Sequence, residues 1–157
     1  MGRITRPRYY KKKKRAQTNR TGNKTKFSQG IFIPENTEKY KQPYDSYMNK
    51  SQYPEYRSSW ELKFFKFLDK NSDVEYWTSE PFAISYMSPK DGKIHRYFPD
   101  VLVKFKNGKK LLVEIKPDYQ TSDPINLAKW ESAKNFCQQY GLEFIVLTEN
   151  NFKKFKS

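Results

Sequence analysis

Two β-rich runs, Val101-Leu102-Val103-Lys104-Phe105 and Lys110-Leu111-Leu112-Val113-Glu114-Ile115, flank the segment Lys106-Asn107-Gly108-Lys109, and this hairpin signal constrains the fold more than any other stretch. Loop length sets the register. A two-residue Asn-Gly loop places Asp100 opposite Ile115 and mixes apolar with polar positions on each face. A three-residue loop, with Gly108 left-handed as a bulge, pairs Phe105 with Lys109, Val103 with Leu111, Val101 with Val113 and Asp100 with Glu114. Only the second register gives Val101 and Val103 apolar partners, so it is the one expected.

Strand alternation then puts Glu114 and Lys116 on the side that carries Asp100. Directly opposed carboxylates repel unless a cation lies between them, so the register that serves the core also builds a candidate metal site. The competing reading is a solvated strand end, where charge is common. An ammonium two residues beyond Glu114 can donate to a water and to a phosphate oxygen at once, which suits hydrolysis of a phosphodiester. Hard oxygen ligands favour Mg²⁺, with Mn²⁺ as a substitute, over zinc.

Around the hairpin the pattern is mixed α/β. Ser58-x-x-Glu61 matches a capping box, and Trp60, Phe64, Phe67 and Leu68 recur near helical spacing, which predicts a helix from Ser58 to about Asp69–Asn71. Val74 to Trp77, Phe82 to Met87 and Ile94 to Phe98 read as strands, with Pro89-Lys90-Asp91-Gly92 as a turn. Asp123-Pro124 opens a helix that runs to Tyr140 and stops at Gly141. Phe144 to Leu147 is a buried strand, and Phe152 to Phe155 a short terminal helix. The fold expected is a mixed central sheet flanked by helices.

Charge is concentrated at one end. Of the formal net +14, residues 1 to 30 contribute eleven Lys or Arg and no Asp or Glu, leaving +3 for the remainder. A block such as Lys11-Lys12-Lys13-Lys14-Arg15 repels itself and buries nothing apolar, so it is expected to be disordered alone and to bind a polyanion, DNA being the natural partner. A solvated tail and a nuclear localisation signal are the alternatives. Residues 27 to 57 hold Pro34, Pro43, Pro54 and five tyrosines, and read as an extended arm that wraps its own domain or docks on a neighbour. The expected division is therefore a basic tail over 1–26, an arm over 27–57 and a catalytic domain over 58–157. No apolar run approaches the roughly 20 residues that cross a bilayer, so neither a membrane nor a secretory route is expected. Cys137 stands alone, which rules out an intrachain disulfide, and its helical position suggests a buried small residue.

Pro99-Asp100 followed by Glu114-Ile115-Lys116 resembles the PD-(D/E)XK nuclease superfamily. The stretches Gln29-Gly30-Ile31-Phe32-Ile33-Pro34, Tyr56-Arg57-Ser58-Ser59-Trp60-Glu61-Leu62-Lys63, His95-Arg96-Tyr97-Phe98-Pro99-Asp100 and Val113-Glu114-Ile115-Lys116-Pro117 are similar to the head completion nucleases of T-even-type tailed phages, themselves similar to transposon end-cutting nucleases. The resemblance covers roughly residues 27 to 150 and implies a restriction-endonuclease-like core. It also implies a Mg²⁺-dependent DNA endonuclease in which Asp100 and Glu114 hold the metal, Glu61 completes the carboxylate cluster and Lys116 orients the attacking water. A role in the virion head or neck, beside portal or connector proteins and after assembly in the host cytoplasm, comes from the resemblance alone. The rival readings are a structural head protein that binds DNA and cuts little, and a junction-resolvase or transposon-end nuclease. No small-molecule cofactor is implied.

Several residues keep two readings. Glu61 can serve only the helix cap. Glu80, before Pro81, can join the cluster or stand outside it. His95 can be a general base or a structural hydrogen bonder. Arg57 and Arg96 are candidates for phosphate contacts, because guanidinium matches phosphate geometry. Trp60, Trp77 and Trp130 read as core.

Overall fold

The structure is a computed structural model and describes residues 29–43 and 52–152. The tail, with Lys11, Lys12, Lys13, Lys14 and Arg15, lies outside the described residues. The elements are β1 (Gly30–Ile31), β2 (Glu55–Tyr56), α1 (Ser59–Lys70), β3 (Val74–Ser79), β4 (Ile84–Met87), β5 (Ile94–Tyr97), β6 (Val101–Phe105), β7 (Lys110–Ile115), α2 (Pro124–Tyr140), β8 (Glu143–Leu147) and α3 (Glu149–Phe152). The main sheet has the order β3-β6-β7-β8. Its first three strands are antiparallel neighbours and β8 runs parallel to β7. A parallel pair needs a crossover of a dozen or more residues, and α2 fills that role.

The hairpin takes the three-residue loop. Val101 pairs with Val113 and Val103 with Leu111, the Phe105 amide donates to the Lys109 carbonyl at 2.8 Å, and Gly108 has φ +92°. A β-carbon there would be strained, which is why the turn needs glycine.

Alternation along β6 and β7 separates two cores. Val101, Val103 and Val113 face α1, packing with Phe64, Phe65, Leu68, Trp77 and, from α3, Phe152. Leu112 faces the other way with Ala133 and Cys137 of α2 and with Ile84, Tyr86 and Tyr97 of the β4–β5 hairpin. This is the mixed sheet flanked by helices that the pattern predicts. Helix ends follow their signals: the Ser58 hydroxyl accepts the Glu61 amide at 3.1 Å, Asp123 caps α2 through the Ile125 amide at 2.8 Å, and Gly141 closes it at φ +73°.

The arm wraps its own domain wherever it is described. Within the arm β1 pairs with β2, and against the domain Tyr40 bridges to Trp77 and the Lys41 amide donates to the Trp77 carbonyl at 2.9 Å. A β-carbon on Gly30 would come within 2.7 Å of the Tyr56 hydroxyl, so glycine lets the two strands close. The buried carboxylate of Asp69 accepts the Glu35 and Asn36 amides, each at 2.9 Å, while Lys39 donates to the carbonyls of Asp69 and Asn71 at the end of α1.

Several boundaries differ from expectation: β3 runs on past Trp77 to Ser79, β5 stops at Tyr97 rather than Phe98, and β8 starts at Glu143 and, as the edge strand of the sheet, buries only Leu147 fully. Strand β4 begins at Ile84 rather than Phe82, whose ring packs against Phe136 at 5.0 Å instead of entering the ladder. The terminal helix begins at Glu149, not Phe152, because Thr148 acts as its cap, its hydroxyl accepting the Asn150 amide at 3.3 Å. Residues 153–155 lie outside the described residues. Among those described, no helix is long and apolar enough to cross a membrane.

Candidate active site

Three strand ends meet where β6 begins and β7 and β8 finish. Asp100 sits immediately before β6 and is buried, and its Oδ2 accepts the Ile115 amide at 2.7 Å. The Lys116 amide in turn donates to the Leu147 carbonyl at 3.0 Å, which ties the residue after β7 to the end of β8. A cleft of about 170 Å³ opens at this edge, and its walls include Glu61, Asp100, Lys116, Gln120 and Glu149, with Trp60 as an aromatic side. Glu61 comes from the first turn of α1, whose cap residue Ser58 also lines the cleft and accepts the Glu61 amide.

Glu114 behaves differently from the other three. It lies one residue beyond the last pair of the ladder, Val101 with Val113, but it is 3% exposed and does not line the cleft. Its Oε2 accepts the indole N–H of Trp130 at 3.3 Å. Trp130 is thus a core residue with a polar duty toward the site, which sequence reasoning missed.

Among the described residues no three His, Cys, Asp or Glu side chains converge as a ready-made metal cage. The carboxylates that do line the cleft, and so could hold a divalent metal, are Glu61, Asp100 and Glu149. The donor set on the cleft walls, carboxylates with no thiol or imidazole, is of the hard type.

The remaining predicted residues are spread more widely. His95 Nε2 lies 2.8 Å from Asp91 Oδ2, across the turn of the β4–β5 hairpin and away from the cleft lining, which is the structural reading. The Lys93 amide and then the His95 ring hold the Asp91 carboxyl below the usual range. Arg96 is exposed on β5. Arg57 is not presented to solvent: its side chain is 7% exposed, and Nη1 donates to Glu80 Oε1 at 2.9 Å, with Glu55 3.7 Å from Nη2. Burial pushes the Cys137 thiol up to about 11, consistent with an inert core residue.

Gln120 and Glu149 were also missed as cleft residues. Glu149 accepts the Asp118 amide through both carboxylate oxygens at 3.1 Å and so pins the loop that follows Lys116. Its available signal was position: in a parallel β7–β8 pair the C-terminal ends lie side by side.

The same residues fall within a known family. The family model of the TnsA-like endonuclease N-terminal domain matches residues 71–149, a span that holds Asp100, Glu114 and Lys116 and stops short of Glu61. The head completion nuclease of Enterobacteria phage T4 is 30% identical over 146 residues, covering 79% of this chain and 93% of that protein.

Proposed function

The chain belongs to the TnsA-like endonucleases and is a nuclease, and from that premise we propose that it hydrolyses DNA phosphodiesters with Mg²⁺ at the Asp100 cleft while a tailed phage completes its head. The observation that carries the reading is the convergence of Glu61, Asp100 and Lys116, from a helix and two strand ends, on one cleft. A divalent ion held there supplies Lewis-acid stabilisation of negative charge developing on the scissile phosphate.

The protein's own groups do the rest. Asp100 and Glu61 offer carboxylate oxygens, and the Ile115 amide fixes the Asp100 carboxylate so that its direction is set before substrate arrives. Lys116 donates to the attacking water and to a phosphate oxygen, holding the water in line. Glu114 supports from behind the wall, oriented by Trp130. Arg96 and the basic block Lys11 to Arg15 supply phosphate contacts that hold the duplex without reading its sequence. Head completion rests on the name of the phage T4 relative, and residence at the virion neck beside portal or connector proteins is carried over from the family resemblance alone.

The test is nicking of supercoiled plasmid by the purified chain with Mg²⁺, beside Glu114→Ala and an EDTA control. Metal-dependent conversion to open circle by the wild type alone is expected. Equal cutting by Glu114→Ala would remove Glu114 from the chemistry, and wild-type protein that binds DNA and never nicks it would favour a structural head protein.

A further inference from the structure

Glu80 is the only non-glycine residue with positive φ among those described, at +47°, and it precedes Pro81, where the backbone favours extended geometry. Three contacts hold it in this sparsely populated conformation. Its amide donates to the Asp100 carbonyl at 2.8 Å, its neighbour Ser79 pairs with Val101, and its carboxylate receives Arg57 Nη1 at 2.9 Å. Arg57 immediately precedes Ser58, whose hydroxyl holds the Glu61 amide. The ion pair therefore joins the two walls of the cleft: on one side the backbone of Asp100, on the other the first turn of α1 that carries Glu61.

We infer that Arg57 and Glu80 act as a positioning clamp that sets the distance between Glu61 and Asp100. The inference rests on the nuclease reading and deepens it. Neither residue touches DNA or metal in this scheme. Both side chains are largely buried, at 7% and 13% exposure, and neither lines the cleft. A guanidinium turned inward, with Nη1 on the Glu80 carboxylate and Nε buried, is not offered to a phosphate. An isolated surface pair would contribute little, but an inward pair between separate elements fixes geometry, because breaking it leaves a largely buried charge without its 2.9 Å partner.

The experiment uses the full chain with Arg57→Met, Glu80→Met, the double variant Arg57→Met/Glu80→Met, and Arg57→Lys. The double variant leaves no unpaired charge from the pair, so it folds even where a single variant does not. Cleavage of a duplex oligonucleotide is followed over a Mg²⁺ titration, and hydrogen exchange is read at the Glu61 and Glu80 amides.

The expected result is a fall in kcat of about 10- to 100-fold, the range for residues that orient metal ligands, with KM within about twofold of wild type. The Mg²⁺ midpoint rises, the double variant is no worse than either single one, and Arg57→Lys recovers part of the loss. Exchange at both amides quickens.

A rise in KM of about tenfold confined to Arg57→Met would make Arg57 a phosphate contact and overturn the clamp. Losses that multiply in the double variant would give each residue its own role and overturn it equally. Unchanged exchange at both amides refutes the clamp whatever the activity. Wild-type protein that cuts at no Mg²⁺ concentration refutes the nuclease reading instead, and the exchange measurement then decides the clamp alone.

Discussion

Replacing Asp100 by Asn and by Ala separates its chemistry from its place in the fold. Its Oδ2 accepts the Ile115 amide at 2.7 Å in a largely buried setting. A hydrogen bond to a charged acceptor contributes about 1.5–3 kcal/mol and a neutral one about 1, so Asn, whose carbonyl oxygen can take the same bond, loses roughly 1 kcal/mol. Against this, Asp100 and Glu114 each lie one residue beyond the Val101–Val113 pair, and removing one of two neighbouring carboxylates relieves repulsion. The two terms oppose each other, and Asp100→Asn should stay within about 1 kcal/mol of wild type. Ala takes the acceptor away and leaves the amide unsatisfied, a loss of about 1–3 kcal/mol. For a chain of this size that is a fall in Tm of roughly 2–4 °C per kcal/mol. Activity should follow another order. On the proposed mechanism both variants lack the carboxylate charge that would hold the metal beside the scissile phosphate, and each should lose about 10²–10³ in plasmid nicking with Mg²⁺, near 3–4 kcal/mol of barrier. Calorimetry and nicking on the same preparations make the comparison. An Asn variant that cuts within about threefold of wild type refutes the role of Asp100 in the chemistry, and one that unfolds as readily as Ala shows that the carboxylate serves the fold.

Glu61→Gln should shift the Mg²⁺ requirement upward with little change in Tm, since the Ser58 bond is to its backbone amide; normal activity across the titration would return it to a purely capping role. Deleting residues 1–26, which hold most of the basic excess, should flatten the salt dependence of DNA binding by about 0.9 in log–log slope for each phosphate no longer neutralised. An unchanged slope would assign the tail to another partner. Asp69→Ala frees the Glu35 and Asn36 amides, two bonds to a carboxylate, and should destabilise by roughly 3 kcal/mol or more, with limited proteolysis opening near residue 35 first. Because the folded Cys137 thiol ionises only at about 11, above its value in the unfolded chain, its contribution to stability is complete below about pH 9 and lost as pH rises toward 11. Denaturant titrations of wild type and Cys137→Ala across that window should converge as pH rises.

Local rules carried the hairpin. Loop length, the conformation open to Gly108 and the need of Val101 and Val103 for apolar partners all act between near neighbours in the chain, so the pairing of Val101 with Val113 and of Val103 with Leu111 was legible in the sequence. The same holds for the caps at Ser58, Asp123 and Gly141, and for the concentration of charge before residue 31. Side-chain partners distant in the chain were not legible. Strand alternation gave the side on which Glu114 lies but not its burial against Trp130, sixteen residues on, which depends on how α2 packs over the sheet. Arg57 carries a phosphate-binding group by type, and only the approach of the β3 end to α1 turned it onto Glu80. Asp69 looks like a solvated carboxylate at the end of a helix until the arm returns across it from more than thirty residues away. Sequence alone determined the β6–β7 hairpin with its register and the residue types brought to its end, because those follow from steric and hydrophobic rules between near neighbours. Tertiary structure decided which of those charges face a cleft and which are held inside, because that depends on desolvation and on partners delivered by other elements.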